Sequence, residues 1–363
     1  MAHFVKSKRK PPPLIVKEEE SAIDSNGQWD EASFVVGRQG IQDKRKVGSS
    51  SEDDTIAQPT KYSLDSLEKM ELIGFGSSGR VFHVQHRETK SDFALKCIPM
   101  DCSKQVRLQL LQEIRANSRL AHQNIVACPD AFLIEGTLYI LLEYFDCGSL
   151  ADLIKVSGPL PEKIIASFAR QILSGLSFCH NQHYLHRDIK PSNFLVNSKG
   201  EAKIADFGTS SRLDGGANAA STWVGTVTYM SPERIKGSEY SFPGDIWSFG
   251  LTVFELAVAH YPYPPSENGQ MGFWELLDLI VQKPAPSLST DSFSKEISDF
   301  VAKCLEKEEK DRPSASDLLN HPFLAESNCA TTADIQKWIK PYVKLIQQNL
   351  VKAAHDAELD MGN

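Results

Sequence analysis

The rhythm of apolar and polar positions changes twice along this chain. From residue 1 to about 65, apolar residues are too sparse among Lys, Glu, Ser, Asp and Gln to bury a core, which predicts disorder. From Leu67, short apolar runs divided by turn residues predict strands at 70–73, 81–84 and 93–98. A helix is predicted over 106–120, where Leu110, Leu111 and Ile114 share helical spacing. Strands return at 131–134 and 138–143. After Gly148 the pattern is mostly helical, at 149–155, 161–180, 245–259, 273–280, 296–304 and 315–319. A small hairpin interrupts it, with strands 194–196 and 202–204 around the turn 197–200. The tail 325–363 reads as helix broken at Pro341, with Ile335, Trp338, Ile339, Tyr342, Leu345 and Ile346 spaced to pack on the preceding lobe. A strand-rich part over 67–145 and a helix-rich part over 146–324 predict an α+β chain of two lobes.

Composition narrows the class. At 363 residues there is room for one large or two small domains. A net charge of −8 argues against a nucleic-acid binder, whose footprint is basic. The run Leu138-Tyr139-Ile140-Leu141-Leu142 is among the longest apolar stretches and is far too short to span a bilayer. The basic N-terminus runs into Pro11-Pro12-Pro13 instead of an apolar core, so no secretory leader is expected. The cysteines are odd in number, scattered and free of C-x-x-C, which predicts reduced thiols in an intracellular protein. The expected location is the cytoplasm, with the nucleus as a second compartment left open.

Candidate chemistry is concentrated in a few stretches. In Tyr184-Leu185-His186-Arg187-Asp188-Ile189-Lys190-Pro191-Ser192-Asn193, an acid, a base and an amide lie within six residues between apolar flanks. Asp188 can accept a proton, Lys190 can lie on a transferring phosphoryl group, and Asn193 can hold a divalent cation. Upstream, Ile73-Gly74-Phe75-Gly76-Ser77-Ser78-Gly79-Arg80-Val81 reads G-x-G-x-x-G-x-V, where glycines let backbone N–H groups approach phosphates. Val81 starts a strand, whereas the dinucleotide-binding version of this motif leads into a helix. Phe93-Ala94-Leu95-Lys96 places a lysine at the end of an apolar strand. If it is inside, it needs a carboxylate, and Glu113 is the one glutamate between Cys97 and Asn124. Glu143-Tyr144-Phe145-Asp146-Cys147-Gly148 joins the two parts, with Leu142 before it. Asp206-Phe207-Gly208 follows the hairpin. Ser231-Pro232-Glu233 and Lys310-Asp311-Arg312-Pro313 come later. Asp245 opens a helix apolar nearly all round and reads as its cap.

These pieces, in this order over 67–324, resemble the eukaryotic protein kinases. The resemblance implies ATP binding between the lobes at Ile73, Gly74, Phe75, Gly76, Ser77, Ser78, Gly79, Arg80, Val81, Lys96 and Glu113, with the hinge at Glu143 and Phe145. It implies catalysis by Asp188, Lys190 and Asn193, and Mg2+ held by Asn193 and Asp206. It also implies that Asp245 braces the catalytic loop and that Arg312 pairs with Glu233.

Thr222-Trp223-Val224-Gly225-Thr226-Val227-Thr228-Tyr229-Met230-Ser231-Pro232-Glu233-Arg234-Ile235 is similar to the dual-specificity mitogen-activated protein (MAP) kinase kinases of the sterile group, as is Gly148-Ser149-Leu150. At 6–16 a basic cluster (Lys8, Arg9, Lys10), three prolines, then Leu14 and Val16 resemble that family's docking peptide, suited to an acidic patch beside two small apolar pockets. The implied partners are a downstream MAP kinase as substrate and an upstream kinase as activator. The activation loop departs from the family pattern of two closely spaced phosphoacceptors. Thr222 matches the second, Ala217, Asn218 and Ala219 stand where the first is sought, and Ser221 is an adjacent acceptor. Arg187 is then the residue expected to meet a loop phosphate. The alternatives are a serine/threonine kinase of a neighbouring upstream-cascade group and a non-catalytic scaffold with the same fold.

Overall fold

A computed structural model describes residues 29–30, 34–37, 40–43, 62–76, 79–101, 110, 113–114, 116, 120–207, 211–212, 227–263 and 273–361. Ser77, Ser78, Gly208, Ser221, Thr222 and the docking residues Lys8, Arg9, Lys10, Leu14 and Val16 lie outside the described residues.

The first elements correct the expectation of disorder through residue 65. Strands β1 (Trp29–Asp30), β2 (Phe34–Gly37) and β3 (Gly40–Asp43) form a three-stranded antiparallel sheet. A 3-10 turn follows at Leu64–Ser66, capped reciprocally by Ser63 and Ser66. So small a sheet cannot bury a core of its own. Its stability comes from the neighbouring lobe, where Val36 is fully buried among Ile98, Met100, Leu110, Ile114, Ala131, Leu133, Leu138 and Ile140.

The small lobe is a five-stranded antiparallel sheet: β4 (Leu67–Gly76), β5 (Gly79–His86), β6 (Asp92–Pro99), β7 (Asp130–Ile134) and β8 (Thr137–Glu143), in spatial order β4-β5-β6-β8-β7. Leu110, Glu113, Ile114 and Ala116 are helical and buried, so the 106–120 expectation holds at the residues described. The β2–β3 sheet lies against β7, the free edge of the five-stranded sheet, which blunts that edge against pairing with another chain.

The large lobe is helical: α1 (Leu150–Ser157), α2 (Glu162–Asn181), α3 (Pro232–Ile235), α4 (Phe242–Val258), α5 (Phe273–Gln282), α6 (Lys295–Cys304) and α7 (Ala315–Leu318). Ser149 opens α1 with a reciprocal cap to Asp152. The two-residue strand β9 (Tyr184–Leu185) leads into the catalytic stretch, β10 (Phe194–Val196) pairs with β11 (Ala202–Ile204), and β12 (Ser211–Arg212) returns to β9. Phe194, Phe249 and Phe300 meet edge to face at 6.5 and 6.3 Å between centroids, joining the hairpin to α4 and α6. Fully burying each such ring is worth roughly 1.5–3 kcal/mol, so this chain of rings is a firm floor for the site.

One expectation about α4 is corrected. The helix starts at Phe242, three residues before Asp245, and Ser241 holds the cap position. Pro243 fits in the first turn because no intrahelical N–H is required there. Asp245 is thereby freed from capping and turns to the catalytic loop. The tail forms α8 (Thr332–Ile339) and α9 (Val343–Met361), broken around Pro341 as expected, with Ile335, Ile339 and Ile346 buried in the large-lobe core.

Candidate active site

The β4–β5 hairpin carries the glycine stretch in register Gly74↔Val81, Phe75↔Arg80 and Gly76↔Gly79. Gly79 has φ +110, and a Cβ there would stand 2.3 Å from the Cys97 carbonyl oxygen. No other residue fits that turn without moving β6. Pairing of Val81 with Lys96 then sets the lysine beside the hairpin. Lys96 Nζ donates to both Glu113 carboxylate oxygens at 2.9 Å. Burial opposes the charge of Lys96, but Glu113 and Asp206 outweigh it and hold the ammonium above its ordinary range.

The catalytic stretch is fixed from behind by Asp245. Its carboxylate accepts the backbone N–H of His186 at 3.0 Å and of Arg187 at 2.9 Å, and His180 Nε2 lies 3.0 Å away. Burial opposes ionisation of Asp245. The His180 contact and these N–H groups prevail, keeping its carboxyl below the usual range. The bracing matters because Arg187 has φ +71, the left-handed region that non-glycine residues enter at a cost. Asp206 shares this feature with φ +59.

Asp188 is held by its own neighbours. Lys190 Nζ lies 2.7 Å and Asn193 Nδ2 2.9 Å from its Oδ2, and Asn193 Nδ2 also donates to the Asp188 carbonyl at 2.7 Å. Burial pushes the Asp188 carboxyl up, and Lys190 and Asn193 together pull it below its ordinary value. The β10–β11 hairpin brings Asn193 against Ala205, the residue before Asp206. Phe194 pairs with Ile204, so the residue before one strand and those after the other emerge at the same end, where Ala205 N–H donates to the Asn193 carbonyl at 2.9 Å.

Several residues of the site were not singled out in the sequence. His186 Nε2 lies 3.0 Å from the Ala205 carbonyl, and the His186 ring meets Phe207 edge-on at 5.0 Å, tying the two loops together. Lys203 donates to both oxygens of Glu143 at 2.7 and 2.8 Å. Glu143 therefore uses its side chain as a tie between the hinge and the strand leading to Asp206, and a nucleobase is left with hinge backbone. Phe145 is buried nearby. Tyr240 lies between two guanidinium groups, with Arg187 5.0 Å and Arg234 4.4 Å from its ring centre. A periodicity argument finds none of these contacts, because none of them follows a helical or strand repeat. The Arg312–Glu233 expectation holds: the guanidinium makes a two-bond fork to the carboxylate at 2.8 and 3.1 Å.

The protein kinase domain family matches residues 67–324. The chain is a protein kinase. Among its relatives, this kinase is 39% identical over 321 residues to mitogen-activated protein kinase kinase SIPKK of Nicotiana tabacum, covering 86% of this chain and 88% of that one. It is 43% identical over 310 residues to mitogen-activated protein kinase kinase 2 of Arabidopsis thaliana, covering 83% and 84%. It is 32% identical over 400 residues to dual specificity mitogen-activated protein kinase kinase 1 of Dictyostelium discoideum, covering 85% and 60%. The kinase thus belongs to the MAP kinase kinases and is an ATP-dependent enzyme. Its donor set fits a magnesium ion: Asp206 offers carboxylate oxygens, and Asn193, with its amide nitrogen committed to Asp188, presents Oδ1, both hard ligands. Among the described residues no helix is long and apolar enough to cross a membrane.

Proposed function

We propose that this kinase transfers the γ-phosphoryl group of ATP to both Thr and Tyr in the activation loop of a MAP kinase, and that phosphorylation of its own activation loop switches it on. The observation that carries the chemistry is the Asp188–Lys190–Asn193 cluster, set by Asp245, together with Asp206 near enough to Lys96 to favour its charge. The names of the relatives support the substrate class.

Lys96, kept charged by Glu113, grips the α- and β-phosphates. Asp188 orients the substrate hydroxyl toward the γ-phosphorus. A carboxylate held below its ordinary pKa is a weak base, so Asp188 contributes mainly by orientation and takes the proton as the new P–O bond forms and the bond to ADP breaks. Lys190 donates to the migrating phosphoryl group, offsetting charge where it develops. Magnesium, when bound at Asn193 and Asp206, supplies further neutralisation of the phosphates.

For the switch, Thr222 is the main acceptor and Ser221 an additional one, with Arg187 meeting the phosphate. For partner choice, Lys8, Arg9 and Lys10 meet an acidic patch on the MAP kinase while Leu14 and Val16 enter apolar pockets. Encounter takes place in the cytoplasm, with the nucleus as a second compartment. A panel of folded MAP kinases and generic basic peptides tests the reading. Phosphorylation of one or more folded MAP kinases well above the peptides is expected. Strong labelling of the peptides with none of the MAP kinases assigns the protein to a neighbouring cascade group instead.

A further inference from the structure

The last helix, α9, does more than cover the large lobe. Ile346, Leu350, Ala354 and Glu358 recur every four residues and so share one face. Ile346 is fully buried in the large-lobe core, against which Leu350 also packs. One turn up, the Leu350 Cδ1 lies 3.0 Å from where a Cβ on Gly148 would stand. Gly148 follows the hinge at φ +61, so this glycine is what lets the helix pass so close. Ala354 is buried, and α9 runs along β4, the strand that ends in Gly74 and Gly76 of the nucleotide loop. At the top, Arg80 Nε donates to Glu358 Oε1 at 2.8 Å. Arg80 directly follows Gly79, and its guanidinium lies 5.6 Å from the centre of the Phe75 ring, between the loop's first two glycines. At about 1.5 Å per residue, the helix climbs roughly 18 Å from Ile346 to Glu358, enough to leave one lobe, cross the hinge and reach the other.

We propose that α9 is a strap between the lobes that positions the glycine-rich loop for ATP, with Glu358 as a positioning residue acting through Arg80. The lower half of the helix is anchored by apolar burial, so its register is fixed. The upper half holds the loop through an ion pair whose partners are 50% and 37% exposed. Buried packing fixes where Glu358 stands, and the screened surface pair tunes the loop without locking it. A loop that must admit ATP and release ADP at every turnover requires such a hold. The inference rests on the ATP-dependent kinase assignment and is independent of which protein is the substrate.

Direct calorimetric binding of ATP with Mg2+ to the full chain tests it without any protein substrate. Glu358→Arg should weaken ATP binding about two- to five-fold, the range of an exposed ion pair. The thermal midpoint without nucleotide should stay in place, and the weakening should shrink as salt shortens the screening length. Combining Arg80→Glu with Glu358→Arg should bind ATP more tightly than Arg80→Glu alone, because the swapped pair restores the hold. Wild-type affinity in Glu358→Arg, or effects of the two changes that simply add, overturns the proposal. A lowered midpoint with unchanged ATP affinity also overturns it, since that outcome makes α9 packing and nothing more. Wild-type protein that binds no ATP would contradict the kinase assignment itself.

Discussion

Lys96 and Glu113 form a closed ion pair, with Nζ 2.9 Å from each carboxylate oxygen and side chains only 12% and 5% exposed. Removing one partner leaves a buried charge, a loss of about 3–5 kcal/mol. Glu113→Ala is therefore expected to lower the thermal midpoint and phosphotransfer together. Replacing both, as Lys96→Met with Glu113→Leu, should return much of the stability while phosphotransfer stays down by at least about 100-fold, because the ammonium that grips the ATP phosphates is gone. Thermal melts beside ATP turnover separate the two effects.

Asp245, Asp188 and Glu233 all have folded-state pKa values below their ordinary ones of 3.8, 3.8 and 4.5. Their contributions to stability are full above those ordinary values and are lost as pH falls through the lower folded ones. The kinase is expected to lose stability on acidification below about pH 4.5, the usual carboxylate range. Asp245→Asn should cost about 1–3 kcal/mol for each N–H left unpaired at neutral pH and should flatten the acid slope. Denaturant melts from pH 3 to pH 7, about the span of that titration, read both.

The role of Asp245 also shows where sequence reading stops. Asp188, Lys190 and Asn193 lie within one short loop, so their grouping is local and legible. The hairpin that returns Ala205, beside Asp206, to Asn193 was legible too, from two short apolar runs around a turn. Read from its own residues, Asp245 looks like the cap of the apolar helix it opens, and its bracing of the catalytic loop, which the structure bears out, comes from the kinase resemblance alone. A proline in the first helical turn and a partner far back in the chain are what the local reading misses. The sheet of β1–β3 was invisible for a related reason. Its apolar content is too small to signal a core, and Val36 becomes core only by contact with residues that lie well over fifty positions away. The same holds for Glu358, a solvated charge by its own sequence and a partner of Arg80 in the fold.

Val36 supplies a third test. Val36→Asp should release the β1–β3 sheet and forfeit about 1.5–3 kcal/mol of burial. Ile114 shares the cluster and sits beside Glu113 on the same helix, so hydrogen exchange there should quicken. Unchanged exchange in the Glu113 helix would separate the sheet from the active site.

Thr222 tests the switch. Thr222→Ala should abolish activation by an upstream kinase, and Ser221→Ala should retain most of it. Arg187→Ala should blunt the response of the activated protein, since the phosphate loses its charge-assisted partner. Activity before and after treatment with the upstream kinase reads all three.

The most direct test of the account is to map phosphates on a purified, inactive MAP kinase after incubation with ATP, Mg2+ and this protein, its own activation loop already phosphorylated by an upstream kinase. The account predicts phosphate on both Thr and Tyr of the target's T-x-Y loop. It also predicts that Asp188→Asn, with its folding verified by a thermal melt, reduces both by roughly 100- to 10,000-fold, the range for losing the group that orients the hydroxyl and takes its proton. Phosphate on only one of the two residues, on neither, or at undiminished rates with Asp188→Asn would contradict it.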